Sequence, residues 1–215
     1  MECYLSIFML YYNMNIFNRK SVIYIMAISA SLFMNAQHKI PNSIENEALK
    51  ALSFYPELSE CNIEIRFKRN IKKSTMQARP TFQSFFKKRS KRNYVILISE
   101  TFKISDKEFT TKDIPSNILI GWIGHELGHI MDYQNRTKAN LVSFGVKYLF
   151  SDRFIIEAER AADTYAVAHG MEKYILETKN FILNHSDIAV SYKDRIKKYY
   201  LSPEEIMILA EERSR

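Results

Sequence analysis

A chain of 215 residues with 47% apolar and 26% charged residues and a formal charge of +7 has the material for one globular domain plus an N-terminal extra. Its two cysteines, Cys3 and Cys61, exclude a disulfide framework and any four-cysteine or cysteine/histidine structural zinc site. Neither repeats nor low-complexity tracts occur.

Arg19 and Lys20 precede an apolar run from Ser21 to Phe33, which Met34, Asn35 and Ala36 follow. A basic start, an apolar core of about 13 residues and a small residue at the end are the parts of an export signal, with cleavage after Ala36. Met34 at the −3 position fits such a site imperfectly. Met14 offers an alternative start, which would make the residues before it an artefact. The run is shorter than the roughly 20 residues of a spanning helix. The expectation is therefore a signal peptide over 1–36 and an exported domain over 37–215, periplasmic or secreted. The alternative is an anchor formed by an uncleaved N-terminal segment.

Ser43 to Leu52 reads as a helix with Ser43 as cap and Glu47 in its first turns, ended by Tyr55-Pro56. From Cys61 to Lys68, Ile63, Ile65 and Phe67 alternate with Glu64, Arg66 and Lys68, the pattern of a half-buried strand. Tyr94 to Ser99 is a second, more apolar strand, and the two are expected to pair in a small sheet. Between Ile65 and Ser99 there is no acidic residue. Eleven cations stand there: Arg66, Lys68, Arg69, Lys72, Lys73, Arg79, Lys87, Lys88, Arg89, Lys91 and Arg92, with Phe82, Phe85 and Phe86 interleaved. This basic loop, 66–92, reads as solvated surface in preference to a patch for an anionic partner. Nucleic acid is the least expected partner of an exported protein, whereas contact with a membrane surface stays open.

The next stretch carries chemistry. Gly124-His125-Glu126-Leu127-Gly128-His129 lies inside an apolar run from Ile118 to Met131, with Asp113, Pro115 and Ser116 as helix-start signals. On a helix, positions i and i+4 share a face, so His125 and His129 can turn imidazoles to one metal ion. Glu126, beside the first histidine, is placed to act as general base on a water at that ion. Gly121, Gly124 and Gly128 are three of only five glycines in the chain. Each costs about 1 kcal/mol in a helix interior, so other segments are expected to pack close to this backbone: a second ligand helix and a neighbouring strand.

Ala139 to Phe150 reads as an apolar helix, and Asp152 can cap the next, which stops at Gly170. Met171 to Leu183 is a further helix, and Ser202-Pro203-Glu204-Glu205 starts the last. A catalytic zinc takes three protein ligands. The positions seven and ten residues after His125 hold Asp132 and Asn135, which disfavours the ligand pattern of the metzincins. Carboxylates are available at Glu157, Glu159 and Asp163, and Glu159 and Asp163 share a helix face. One carboxylate on the metal and one behind a ligand histidine is the expected pairing.

HELGH followed about 30 residues later by Glu-x-x-Ala-Asp, Glu159 to Asp163, resembles the gluzincin metallopeptidases of the HtpX and CAAX-prenyl-protease type. The resemblance covers roughly 94–170. It implies one zinc ion per chain on His125, His129 and Glu159, catalysis by Glu126, and support of a zinc-binding histidine by Asp163. Glu157 remains the competing ligand. The family's membrane-embedded members have several spanning helices, and this chain has at most one, so a membrane-protein substrate does not carry over. The implied fold is α+β: a single zincin-like domain, with a small sheet followed by a mostly helical half. The implied activity is zinc-dependent hydrolysis of peptide bonds in a peptide or protein substrate. Strand Tyr94–Ser99 is the expected substrate edge. His169, His185, Tyr192, Arg195, Tyr199 and Tyr200 are the open candidates for stabilising an oxyanion. The alternative is an inactive zinc-binding module that recognises a peptide or partner.

Overall fold

The computed structural model describes residues 38–215 apart from 70, 72, 73, 105, 106, 111, 112, 186 and 187. The expected signal over 1–36 lies outside them, as do Lys72 and Lys73 of the basic stretch.

The alternating segment forms β1 (Asn62–Lys68), with Ile63 and Ile65 buried. The apolar segment forms β3 (Asn93–Ser99), buried from Tyr94 to Ser99. They pair in parallel, Ile63 opposite Tyr94 and Ile65 opposite Ile96. A strand that the sequence does not announce, β2 (Met76–Pro80), pairs antiparallel with the other side of β3, Ala78 opposite Ile96. The order β1-β3-β2 corrects the expected substrate edge: Tyr94–Ser99 is the middle strand, with both ladders filled. The free edges belong to β1 and β2. Lys39 bonds to β1, donating to Ile63 O (3.1 Å) and accepting from Ile65 N–H (2.8 Å). A hairpin of β4 (Thr101–Ile104) and β5 (Lys107–Thr110) follows.

The basic stretch is therefore folded in part. After β2 come two 3-10 turns, Phe82–Phe86 and Arg89–Lys91. Arg92 is buried, and its guanidinium donates to the carbonyls of Tyr133 (2.7 Å) and Arg136 (2.9 Å). A cation there satisfies carbonyls that a helix leaves unpaired at its C-terminus.

Helix α1 (Glu45–Leu52) buries Ala48, Ala51 and Leu52. A 3-10 turn at Asn42–Ile44 takes the place of the expected Ser43 cap, and Glu47 accepts from Ser116 Oγ (2.6 Å). The HELGH segment lies in α2 (Ser116–Asn135), buried from Ile118 to Ile130. Asp113 does not cap it; that carboxylate accepts from Thr110. Then come α3 (Lys138–Phe150), capped by Thr137, and α4 (Asp152–Ala168). Gly170 follows α4 at φ +83°, a conformation that glycine adopts without a Cβ penalty. The chain ends in α5 (Glu172–Asn184), α6 (Val190–Tyr199) and α7 (Pro203–Ser214), whose capping box joins Ser202 and Glu205.

The glycines of α2 mark where other helices touch it. A methyl group on Gly128 would overlap the carbonyl of Ala162 in α4, and one on Gly121 the carbonyl of Tyr174 in α5. The helix that carries Glu159 is thus the neighbour at Gly128 as expected, but at Gly121 a helix stands in place of the expected strand. Among the described residues no helix is long and apolar enough to cross a membrane. The architecture is α+β, a small sheet followed by a helical half.

Candidate metal centre

α2 sets His125 and His129 one turn apart, with ring centroids 4.8 Å from each other and the rings nearly perpendicular. The close contact of Gly128 with Ala162 lays α4 against them and brings Glu159 between the two rings. Glu159 Oε2 lies 3.1 Å from His125 Nε2 and 3.2 Å from His129 Nε2. All three side chains are buried, and each offers one ligand atom, these lying within 4.8 Å of one another. Donors about 2.0–2.1 Å from a tetrahedral ion sit roughly 3.3 Å apart. Two imidazole nitrogens and a carboxylate oxygen at this spacing form a group that can hold a metal ion. Glu157 stays out of it: its carboxylate faces solvent and accepts from Arg153 (3.0 Å).

Asp163 stands behind the cluster, on the far side of His125 from Glu159. Its Oδ1 accepts from His125 Nδ1 (2.8 Å), which leaves Nε2 unprotonated toward Glu159 when the ring is neutral. Its Oδ2 accepts from Lys179 Nζ (2.6 Å) and Leu201 N–H (3.0 Å). Burial alone would raise the Asp163 pKa, but the Lys179 charge and the His125 bond hold it below the usual range. Glu159 is likewise held well below its usual value, against burial, by the two imidazoles. His125 is pushed up to about 10: burial opposes its charge, but the bonds to Asp163 and Glu159 prevail. Without a metal, two carboxylates keep a proton on that ring.

Glu126 reaches the sheet. Its Oε2 accepts from Ala78 N–H of β2 at 2.5 Å. Burial raises its pKa, with His129 and His125 pulling the other way. Tyr133 OH reaches the Ala78 carbonyl (3.4 Å) from further along α2. Glu126, His129 and Glu159 open on a cleft of about 1170 Å³ between the sheet and α3.

Of the six oxyanion candidates, Arg195, Tyr199 and Tyr200 line this cleft. Tyr200 packs 5.3 Å from the His125 ring, while Tyr199 donates to Asp152 (2.9 Å). Tyr192 lies behind, 3.4 Å from Thr75 Oγ1. His169 stacks on Tyr55 and bonds the Tyr165 carbonyl, and His185 packs on Phe181. Two partners of the site are not legible in the sequence. Tyr148 of α3 donates to Glu159 Oε1 (2.7 Å), and Lys179 of α5 supplies the charge against Asp163. Tyr148 sits in an apolar helix and Lys179 in no motif, so only the packing of separate helices reveals them.

Comparison of the chain with models of known protein families, with curated proteins and with solved structures finds no match.

Proposed function

We propose that the chain is a zinc-dependent peptidase of the gluzincin type, in which His125, His129 and Glu159 hold one zinc ion and Glu126 moves the proton. The observation that carries this reading is the convergence of two imidazole nitrogens and one carboxylate oxygen beside a cleft that also holds a separate carboxylate. Two histidines and a glutamate are the donor set of one class of catalytic zinc site. Bound there, zinc would lower the pKa of a coordinated water and polarise a carbonyl.

The remaining work falls to the chain. Glu126, made more basic by burial, takes a proton from the attacking water and passes it to the leaving amine. Asp163 fixes the His125 ring, and Tyr148 holds the second oxygen of Glu159. Arg195 brings a positive charge to the cleft near Glu159 and is the group to meet negative charge developing on the carbonyl oxygen. β2 walls the cleft from Met76 to Pro80, and because Ala78 is bonded to Glu126 and Tyr133 a substrate passes beside that strand without pairing to it at Ala78.

Elemental analysis of the wild type beside Glu159→Ala, and peptide-library hydrolysis beside Glu126→Gln, test the reading. One zinc per chain is expected, lost or weakened in Glu159→Ala. Glu126→Gln keeps zinc and loses hydrolysis by about 10²–10⁴-fold. Absence of zinc from the wild type, or full hydrolysis by Glu126→Gln, overturns it. Zinc without hydrolysis in the wild type turns the site into an inactive binding module.

A further inference from the structure

The mouth of the cleft carries uncovered apolar side chains from two elements. Phe82 (78% exposed) comes from the turn after β2, and Leu149 (74%) and Phe150 (84%) from the end of α3; all three line the cleft. Val142 and Val146 continue this face along α3, each more than half exposed, at the i, i+4, i+7, i+8 spacing of one helical stripe. Phe86, 75% exposed, packs edge to face on Phe82. Lys138 at the start of α3 donates to the Phe86 carbonyl (3.2 Å), which joins the two elements into one surface.

On the two segments that build this surface the charge has one sign, and the acids that line the cleft beside them, Glu64 and Asp152, are paired with Arg66 and Lys198. No Asp or Glu occurs between Ile65 and Ser99 or between Tyr133 and Ser151. Exposed Lys88, Arg89 and Lys91 follow Phe86, and exposed Lys138 and Lys147 stand on α3. A second copy of this face would meet repulsion. Nucleic acid would find cations, but Val142, Val146 and Leu149 offer it neither stacking nor hydrogen bonds. An anionic bilayer satisfies both halves of the pattern: apolar side chains enter the boundary of headgroups and acyl chains while cations meet the phosphates.

We propose that this face docks on an anionic phospholipid bilayer and lays the mouth of the cleft against the headgroups. The proposal stands apart from the peptidase reading, because it rests on the rim and not on the metal centre.

The test places an environment-sensitive fluorophore on Leu149→Cys in the full chain with Cys3→Ser, since Cys61 is buried. A control chain carries it on Ile208→Cys of α7, which is exposed. Vesicles of phosphatidylcholine with phosphatidylglycerol should shift the Leu149 probe to the blue and leave the Ile208 probe unmoved. Phosphatidylcholine alone should do neither, and high salt should reverse the shift. Replacing Lys88, Arg89 and Lys91 by Ala should weaken binding about 100-fold, at roughly fivefold per charge. An unmoved Leu149 probe overturns the proposal even if the protein sediments with the vesicles, because another segment then makes the contact. A shift that grows with protein concentration without vesicles assigns the face to a second copy, and an equal shift with single-stranded RNA assigns it to nucleic acid; either outcome overturns it.

Discussion

Replacing Asp163 by Asn separates what holds the fold from what would hold the proposed zinc ion. Asp163 is 1% exposed and accepts from His125 Nδ1, Lys179 Nζ and Leu201 N–H. Asn keeps the shape and removes the charge. Lys179, 4% exposed, would keep the Tyr200 ring, 4.3 Å from its nitrogen, but lose its carboxylate partner. Stripping one partner from a buried ion pair costs about 3–5 kcal/mol. Adding Lys179→Met removes the stranded charge and should return most of that loss. Metal affinity answers to the other contact. A neutral Asn polarises the imidazole less, so zinc affinity should fall about 10–100-fold, and Lys179→Met should not restore it. Urea unfolding in chelator reads the first quantity, and competition with a chromophoric chelator the second. Zinc affinity in Asp163→Asn within about twofold of wild type would refute the reasoning, as would its recovery together with stability in the double variant.

Gly128→Ala should force α4 away from α2, at a cost of about 1–3 kcal/mol less the roughly 1 kcal/mol that Ala gains in a helix, and should weaken zinc binding; thermal melts with and without zinc check both. Tyr148→Phe removes the donor to Glu159 Oε1 and should lower zinc affinity about tenfold with little change in melting temperature, as competition titration and melts would show. The pKa of His125 is raised in the fold to about 10, above its unfolded value. That group therefore stabilises the metal-free protein fully below its unfolded pKa, and the contribution is lost as pH rises through the folded pKa. Zinc must displace the same proton, so its affinity should rise with pH over this window, by about one decade per unit. Unfolding and zinc titrations from pH 6.5 to 10 would show opposite slopes, and parallel slopes would contradict the assignment.

The site is legible where spacing alone fixes geometry. His125 and His129 share a helix face by arithmetic, and Glu159 and Asp163 share another. The glycines of α2 carry the further information that a neighbouring backbone comes close, and at Gly128 that neighbour is α4. β2 is hidden in the sequence because its alternation, Met76 and Ala78 buried against Gln77 and Arg79 exposed, is only four residues long and runs into Pro80, which its edge position lets it keep. α6 is hidden because Val190–Tyr199 is mostly polar and buries only Ile196. Lys179 and Tyr148 escape a reading of the sequence for another reason: their partners, Asp163 and Glu159, lie on a different helix, and no local spacing joins them.

A three-stranded sheet has two edges open to pairing with another chain, and such edges are where aggregation starts. Here Lys39 occupies part of the β1 edge, while β2 is sealed at Ala78 by Glu126 and Tyr133, with Pro80 withholding a donor. The carboxylate assigned to proton transfer is thus also a guard against cross-chain strand pairing. A preparation of Glu126→Ala would lose that guard together with the proposed general base, so its solubility has to be compared with that of Glu126→Gln before any lost hydrolysis is read as lost chemistry.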